Sequence, residues 1–189
     1  MTTEAKASSR ERLLEAAATL TYRDGVNIGV DALCKAAGVS KRSMYQLFES
    51  KGELLAASLE ERAAAYVKTL LPSEDDDRPP RERIMHVFEQ LESQAGAPDF
   101  QGCPFLAAQI ELKDPSHPAS RVAHRVKANL TDFFRGEAER GGASDPDLLA
   151  RQLILLFDGA SARAGIKADT PAGLLAPTVK ILLDAANLR

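Results

Sequence analysis

"AGVSKRSMYQLFESKGEL", from Ala37 to Leu54, is the stretch whose reading decides the fold. Laid on a helix at about 100° per residue, Met44, Leu47 and Phe48 share one face. Arg42 and Gln46 lie opposite, with Tyr45 and Ser43 flanking them and Lys41 in the open first turn. A helix this short is not stable by itself, so its apolar face must seat on neighbours. Ser40 can cap it, and Ser50-Lys51-Gly52-Glu53 has capping-box spacing, so the helix ends near Phe48 and a longer one runs to about Leu70. Upstream, Gly38 permits a left-handed stop to a helix over Val30–Ala37, whose Asp31 suits the positive end of the helix dipole. Leu33, Ala36 and Ala37, with Val39 as a buried plug, complete the mount. Two short helices joined by a tight turn form a helix-turn-helix, and the second presents its first residues to the major groove of duplex DNA.

The exposed residue types fit that use. Arginine donates two parallel hydrogen bonds to guanine and glutamine pairs similarly with adenine, so Arg42 and Gln46 are the expected base readers. Ser40, Lys41, Ser43, Tyr45 and Lys51 are expected on phosphates, Lys51 at the anion-attracting start of the fourth helix. Arg10, read as part of an N-terminal arm, is a further candidate for a minor groove or a phosphate. The formal net charge of −3 conceals a division: residues 1–48 carry seven Lys/Arg against five Asp/Glu, leaving 17 against 22 for the rest.

Elsewhere helical periodicity dominates and strand alternation is nearly absent, which predicts an all-α chain of about nine helices. The first starts near Ser8, in a capping box with Glu11, carries Leu13, Leu14, Ala17, Ala18 and Leu20 on one stripe, and stops at Gly25. "PSEDDDRPPRE" is a charged loop whose consecutive acids lack the spacing of a cation site. A fifth helix carries Ile84, Val87, Phe88 and Leu91, a sixth spans Pro104–Leu112, and a seventh carries Val122, Val126, Leu130, Phe133 and Phe134. The last two, about Pro146–Ala164 and Pro171–Leu188, are apolar around most of their circumference and need cover on two sides.

With 189 residues, 44% hydrophobic and 27% charged, the chain is long and apolar enough for a globular core. No run approaches the roughly 18 apolar residues of a membrane span, and the first residues do not read as a secretory signal, so a cytoplasmic protein without membrane contact is expected. Cys34 and Cys103 then read as free thiols. His86, His117 and His124 have no ligand spacing, so neither metal nor cofactor is expected. Cys103 precedes Pro104 at a helix start, where a thiol can become reactive toward electrophiles; packing is the competing reading. A thiol enzyme using Cys103 with His86 or His124 is an alternative class, but no phosphate loop, nucleophile elbow or paired acid accompanies it, so a non-enzyme is expected. An architectural DNA-bending protein is another.

On "LLEAAATLTYRDGVNIGVDAL" and "AGVSKRSMYQLFESKGEL" the chain, from about Lys6 to Tyr66, resembles the DNA-binding domain of the TetR (tetracycline-repressor-like) transcriptional regulators. The shared features are small-Gly-Val-Ser, Tyr45, Phe48 and Lys51 at fixed offsets. The resemblance implies a DNA-binding domain over 6–66 with its helix-turn-helix at 29–48, and an effector-binding and dimerisation domain over 80–189. "GCPFLAAQIELKDPSHPA" and "LILLFDGASARA" resemble the latter more loosely. Where the family often has a hydroxyl residue, this chain has Gly29, which offers only backbone. The resemblance further implies a homodimer through the last two helices, with Gly159, Ala160, Ser161 and Ala162 permitting close approach, a palindromic operator, and release by a small-molecule effector. Its candidate contacts are Met85, Phe88, Leu91, Cys103, Phe105, Gln109, Phe133, Leu153 and Phe157, although apolar and aromatic residues at helical spacing are more often core than pocket lining. Asp158 and Arg163 suit either a ligand or a pair across the dimer.

Overall fold

A computed structural model describes residues 7–188; Lys6, the first residue of the expected DNA-binding segment, lies outside them. The described residues form helices joined by turns: α1 (Ser9–Asp24), α2 (Val30–Ala37), α3 (Lys41–Leu47), α4 (Lys51–Leu70), α5 (Pro80–Ala95), α6 (Pro104–Leu112), α7 (Pro118–Arg140), α8 (Pro146–Gly165) and α9 (Leu175–Ala185). The all-α expectation holds. The last helix starts four residues later than its apolar pattern suggested, because Pro171–Leu174 forms a turn. No helix among the described residues is long and apolar enough to cross a membrane.

The chain divides into two compact units. One contains the residues up to Arg62 together with Ala107–His124, and the other contains Ala63–Leu106 and Arg125 onward. Ala107–His124 thus packs with the N-terminal helices, although the sequence placed it with the C-terminal domain.

In the first unit Ser8 and Glu11 close a reciprocal box: the Glu11 amide donates to Ser8 Oγ at 3.2 Å and the Ser8 amide to Glu11 Oε2 at 2.7 Å. The Ser8 amide, and after it the Ser8 side chain, stabilises the anion, so the Glu11 carboxyl lies below its ordinary pKa. The core collects Leu13, Leu14, Ala17, Val26, Leu33, Met44, Phe48, Leu54 and Leu55, with Ala108 and Ala119 from the inserted segment. The buried Ser58 hydroxyl donates to the Leu14 carbonyl at 3.1 Å, tying α4 to α1. Arg62 donates to both oxygens of Glu15 at 3.0 Å, which depresses the Glu15 carboxyl.

The second unit is built around Phe88, Phe134, Phe157, Leu149, Leu153, Val179 and Leu183. Phe88 and Phe134 stack with centroids 5.7 Å apart, and Phe88 meets Phe157 edge-on at 6.3 Å. A buried ion pair crosses this unit: Arg83 Nε donates to Glu137 Oε1 at 2.9 Å, while Arg83 also donates to the carbonyls of Ser73 and Asp76. Those bonds engage Nε and Nη1 of the guanidinium and pin the acidic loop, where Asp76 is held by Arg78 at 2.6 Å.

Candidate nucleic-acid interface

The α3 helix is short, and its placement depends on packing at both ends. Gly38 adopts φ 61°, ψ 39°, the left-handed geometry that ends α2, and its amide returns to Cys34 and Lys35 carbonyls. Arg12 of α1 then donates from Nε to the Ala37 carbonyl at 2.9 Å, supplying a cation where the α2 dipole is negative. Ser40 begins α3: its Oγ accepts the Ser43 amide at 3.0 Å, and the two hydroxyls pair at 2.9 Å. Gly29 precedes α2 in extended geometry with no side-chain cap, the consequence of having glycine there.

Met44 is fully buried beneath α3 and Phe48 nearly so. Leu47 departs from the sequence expectation: it is 42% exposed. The helix stops at Leu47, and Phe48 turns into extended backbone at φ −140°, ψ 130°. Phe48 therefore enters the core from outside the helical register, and Leu47 is left on the rim. Ala36 is likewise exposed and Val39 only half-buried, so Leu33, Cys34 and Ala37 provide the seat from α2.

Arg42 and Gln46, opposite Met44, are exposed, as are Tyr45 on the flank, at 53%, and Lys41 in the open first turn. Lys41 Nζ lies 2.8 Å from Asp31 Oδ1, a bond that raises the lysine pKa. Lys51 is half-buried at the start of α4, and loss of hydration lowers its pKa. The Glu53 amide donates to Ser50 Oγ at 3.1 Å, but the Glu53 carboxylate reaches the Glu49 amide, at 3.4 Å; the second half of the expected box is displaced by one residue. Arg10 sits in the first turn of α1, not on an arm, with its guanidinium 5.6 Å from the Phe48 ring centroid.

Two anchors of this unit carried no local sequence signal. The Val26 amide donates to Glu111 Oε2 at 2.8 Å, and Gly25 beside it has φ +88°, where a Cβ would lie 2.6 Å from the same oxygen. At the start of α4, a Cβ on Gly52 would lie 3.0 Å from His117 Nε2. Both partners are some sixty residues or more distant in sequence, which is why periodicity does not reveal them.

The residues expected at an effector site separate. Phe88, Leu91, Leu153 and Phe157 are buried in one cluster, with Met85 and Phe133 packed on it, so they are core by position. Phe105 packs against the Tyr66 ring at 5.0 Å, and the Tyr66 hydroxyl lies 3.2 Å from the buried Cys103 Sγ. Gln109 departs from the expectation: it belongs to the first unit, because the chain from Ala107 packs there. Asp158 pairs with Lys127 of its own chain, and Lys127 lies 4.7 Å from the Phe157 ring centroid. Arg163 pairs with Asp169 at 3.2 Å. Cys34 is buried, and desolvation raises its thiol pKa, in keeping with packing.

The family model described as "Bacterial regulatory proteins, tetR family" matches residues 13–58, the span from α1 through the first turns of α4. Among solved structures, a TetR transcriptional regulator from Streptomyces avermitilis is 75% identical, with 97% of this chain and 100% of that one covered and a TM-score of 0.95. A TetR-family transcriptional regulator from Streptomyces coelicolor is 24% identical over 94% of this chain and 95% of its own, with a TM-score of 0.75, a likeness of fold. The HTH-type transcriptional regulator YjdC of Escherichia coli is 25% identical over 89 residues, about half the length of each chain (47%).

Proposed function

The chain belongs to the TetR family of bacterial transcriptional regulators, and on that premise we propose that it acts as a homodimeric repressor released from a palindromic operator by a small molecule. The observation that carries this reading is the two-sidedness of α3: Met44 is fully buried while Arg42, Tyr45 and Gln46 are exposed around the other side. Arg42 and Gln46 read bases. Ser40, Lys41, Ser43, Tyr45 and Lys51 hold phosphates and fix the register. The DNA-binding function belongs to 6–66, and effector binding and dimerisation to 80–189.

Dimerisation is supported by apolar side chains left exposed on the last two helices, Leu148 and Leu155 on α8 and Ile181 on α9, the last two at 74% and 67%. A second copy covers such a face symmetrically, and two α3 helices separated by about one turn of DNA then read two half-sites. The effector works by preferring the dimer whose α3 spacing does not match DNA; it weakens binding only by the ratio of its affinities for the two forms. Selection of duplexes from a randomised pool by the purified protein tests the reading. Enrichment of a two-fold symmetric motif is expected, and a pool that stays random after selection would contradict it.

A further inference from the structure

Between the end of α6 and the start of α7 lies a cleft of about 420 Å³, wholly within the first unit. The turn whose Asp114 and Pro115 form part of the cleft wall is internally satisfied. Asp114 Oδ1 accepts the Ser116 amide at 2.8 Å and hydroxyl at 2.7 Å, which holds the Asp114 carboxyl below its usual pKa. His117 Nδ1 accepts the Ala119 amide at 3.1 Å and so caps α7, while Pro118 occupies the first helical position, where an N–H is dispensable.

The other polar side chains of the cleft are basic or neutral. Lys113, Arg121 and His124 line it with Gln109, and among the described residues none of these three basic side chains is engaged in an ion pair. Ser120, also in the lining, is 4% exposed, and its hydroxyl is buried with no hydrogen-bond partner. Buried hydroxyls ordinarily have one. Ser120 stands in the first turn of a long helix, where the dipole favours an anion. A cleft of this volume falls in the small-molecule range of about 300–1,000 Å³.

We propose that this cleft binds a small phosphorylated molecule, with Lys113 and Arg121 neutralising the phosphate and the Ser120 hydroxyl donating to it. The site stands apart from the aromatic cluster of the second unit. Its regulatory consequence rests on the DNA-binding reading: Glu111 on one side of the turn holds the α1–α2 connection through Val26, and His117 on the other abuts Gly52 at the start of α4. An anion that orders this turn therefore acts on the frame that seats α3.

The test is calorimetric titration of the full-length protein with inorganic phosphate, against chloride and acetate at matched ionic strength. Saturable binding of phosphate alone is expected, weakened about tenfold by Lys113→Gln or Arg121→Gln, the scale of one charge-assisted hydrogen bond. Arg151→Gln, an exposed change on α8, should leave it unaltered. Amide shifts in the NMR spectrum on adding phosphate should centre on 113–121. No saturable binding, an equal response to chloride, or unchanged affinity in the Lys113→Gln/Arg121→Gln double variant would overturn the proposal. Shifts centred on α3 would assign the ion to the duplex-phosphate surface and overturn it too, while leaving the DNA-binding reading standing.

Discussion

Lys41 Nζ and Asp31 Oδ1 lie 2.8 Å apart, joining the first turn of α3 to the first turn of α2 on the exposed face. Both side chains are more than half exposed, so the bond adds little stability. Its effect is on binding: a phosphate approaching Lys41 must compete with a carboxylate already there. Asp31→Asn should tighten binding to operator and unrelated duplex alike, by about two- to fivefold at low salt, and steepen the salt dependence. Fluorescence anisotropy across a salt series measures this, and tightening confined to one sequence would contradict it.

Met44 and Leu47 separate seat from rim. Met44→Ala should destabilise the protein by about 2–4 kcal/mol in urea unfolding, because it removes a fully buried side chain from a packed core. Leu47→Ala should cost less than about 1 kcal/mol. Equal losses would mean that α3 seats on both, as the bare helical pattern suggested.

Much of the interface is legible in the sequence because it is local. The box at Ser8 and Glu11, the Gly38 stop and the Ser40 cap all act within four residues, and each forms as read. Leu47 misleads because the pattern groups it with Met44 and Phe48, whereas the helix ends on it at the rim of the seat and Phe48 enters the core from extended backbone. The attachment of Ala107–His124 to the N-terminal helices is illegible for another reason. Glu111 meets Val26 through a backbone N–H, a group every residue but proline carries, so no residue type at position 26 signals the contact. The aromatic cluster reads alike as core or as ligand lining, since both require apolar residues at helical spacing.

Asp158 and Lys127 form a largely buried pair in the second unit. Asp158→Ala should destabilise by about 3 kcal/mol, since it leaves an ammonium without its counter-charge. Lys127→Met combined with Asp158→Leu should recover most of that loss. A double variant as unstable as the single one would show that packing, not the uncompensated charge, is responsible.

Asp76 gives the acid limb of stability its sign. Bonds from Arg78 depress its carboxyl well below the ordinary value, so its contribution is complete above the unfolded-state value, about 3.9, and is lost as pH falls toward the depressed one. The stability gap between the natural protein and Asp76→Asn should be constant from pH 6 to 8 and shrink below about pH 4. A gap that persists unchanged into acid would remove this carboxylate from the account.

The division of labour between α3 and the start of α4 is tested most directly by measuring the affinity of Arg42→Ala and Lys51→Ala for the selected operator and for duplexes altered one base pair at a time. Arg42→Ala should lose about 1–3 kcal/mol of discrimination at one position in each half-site, and Lys51→Ala should weaken binding to every duplex alike while lowering the salt slope by about one. Identical specificity profiles for the two variants would contradict the assignment of α3 as the helix that reads the bases.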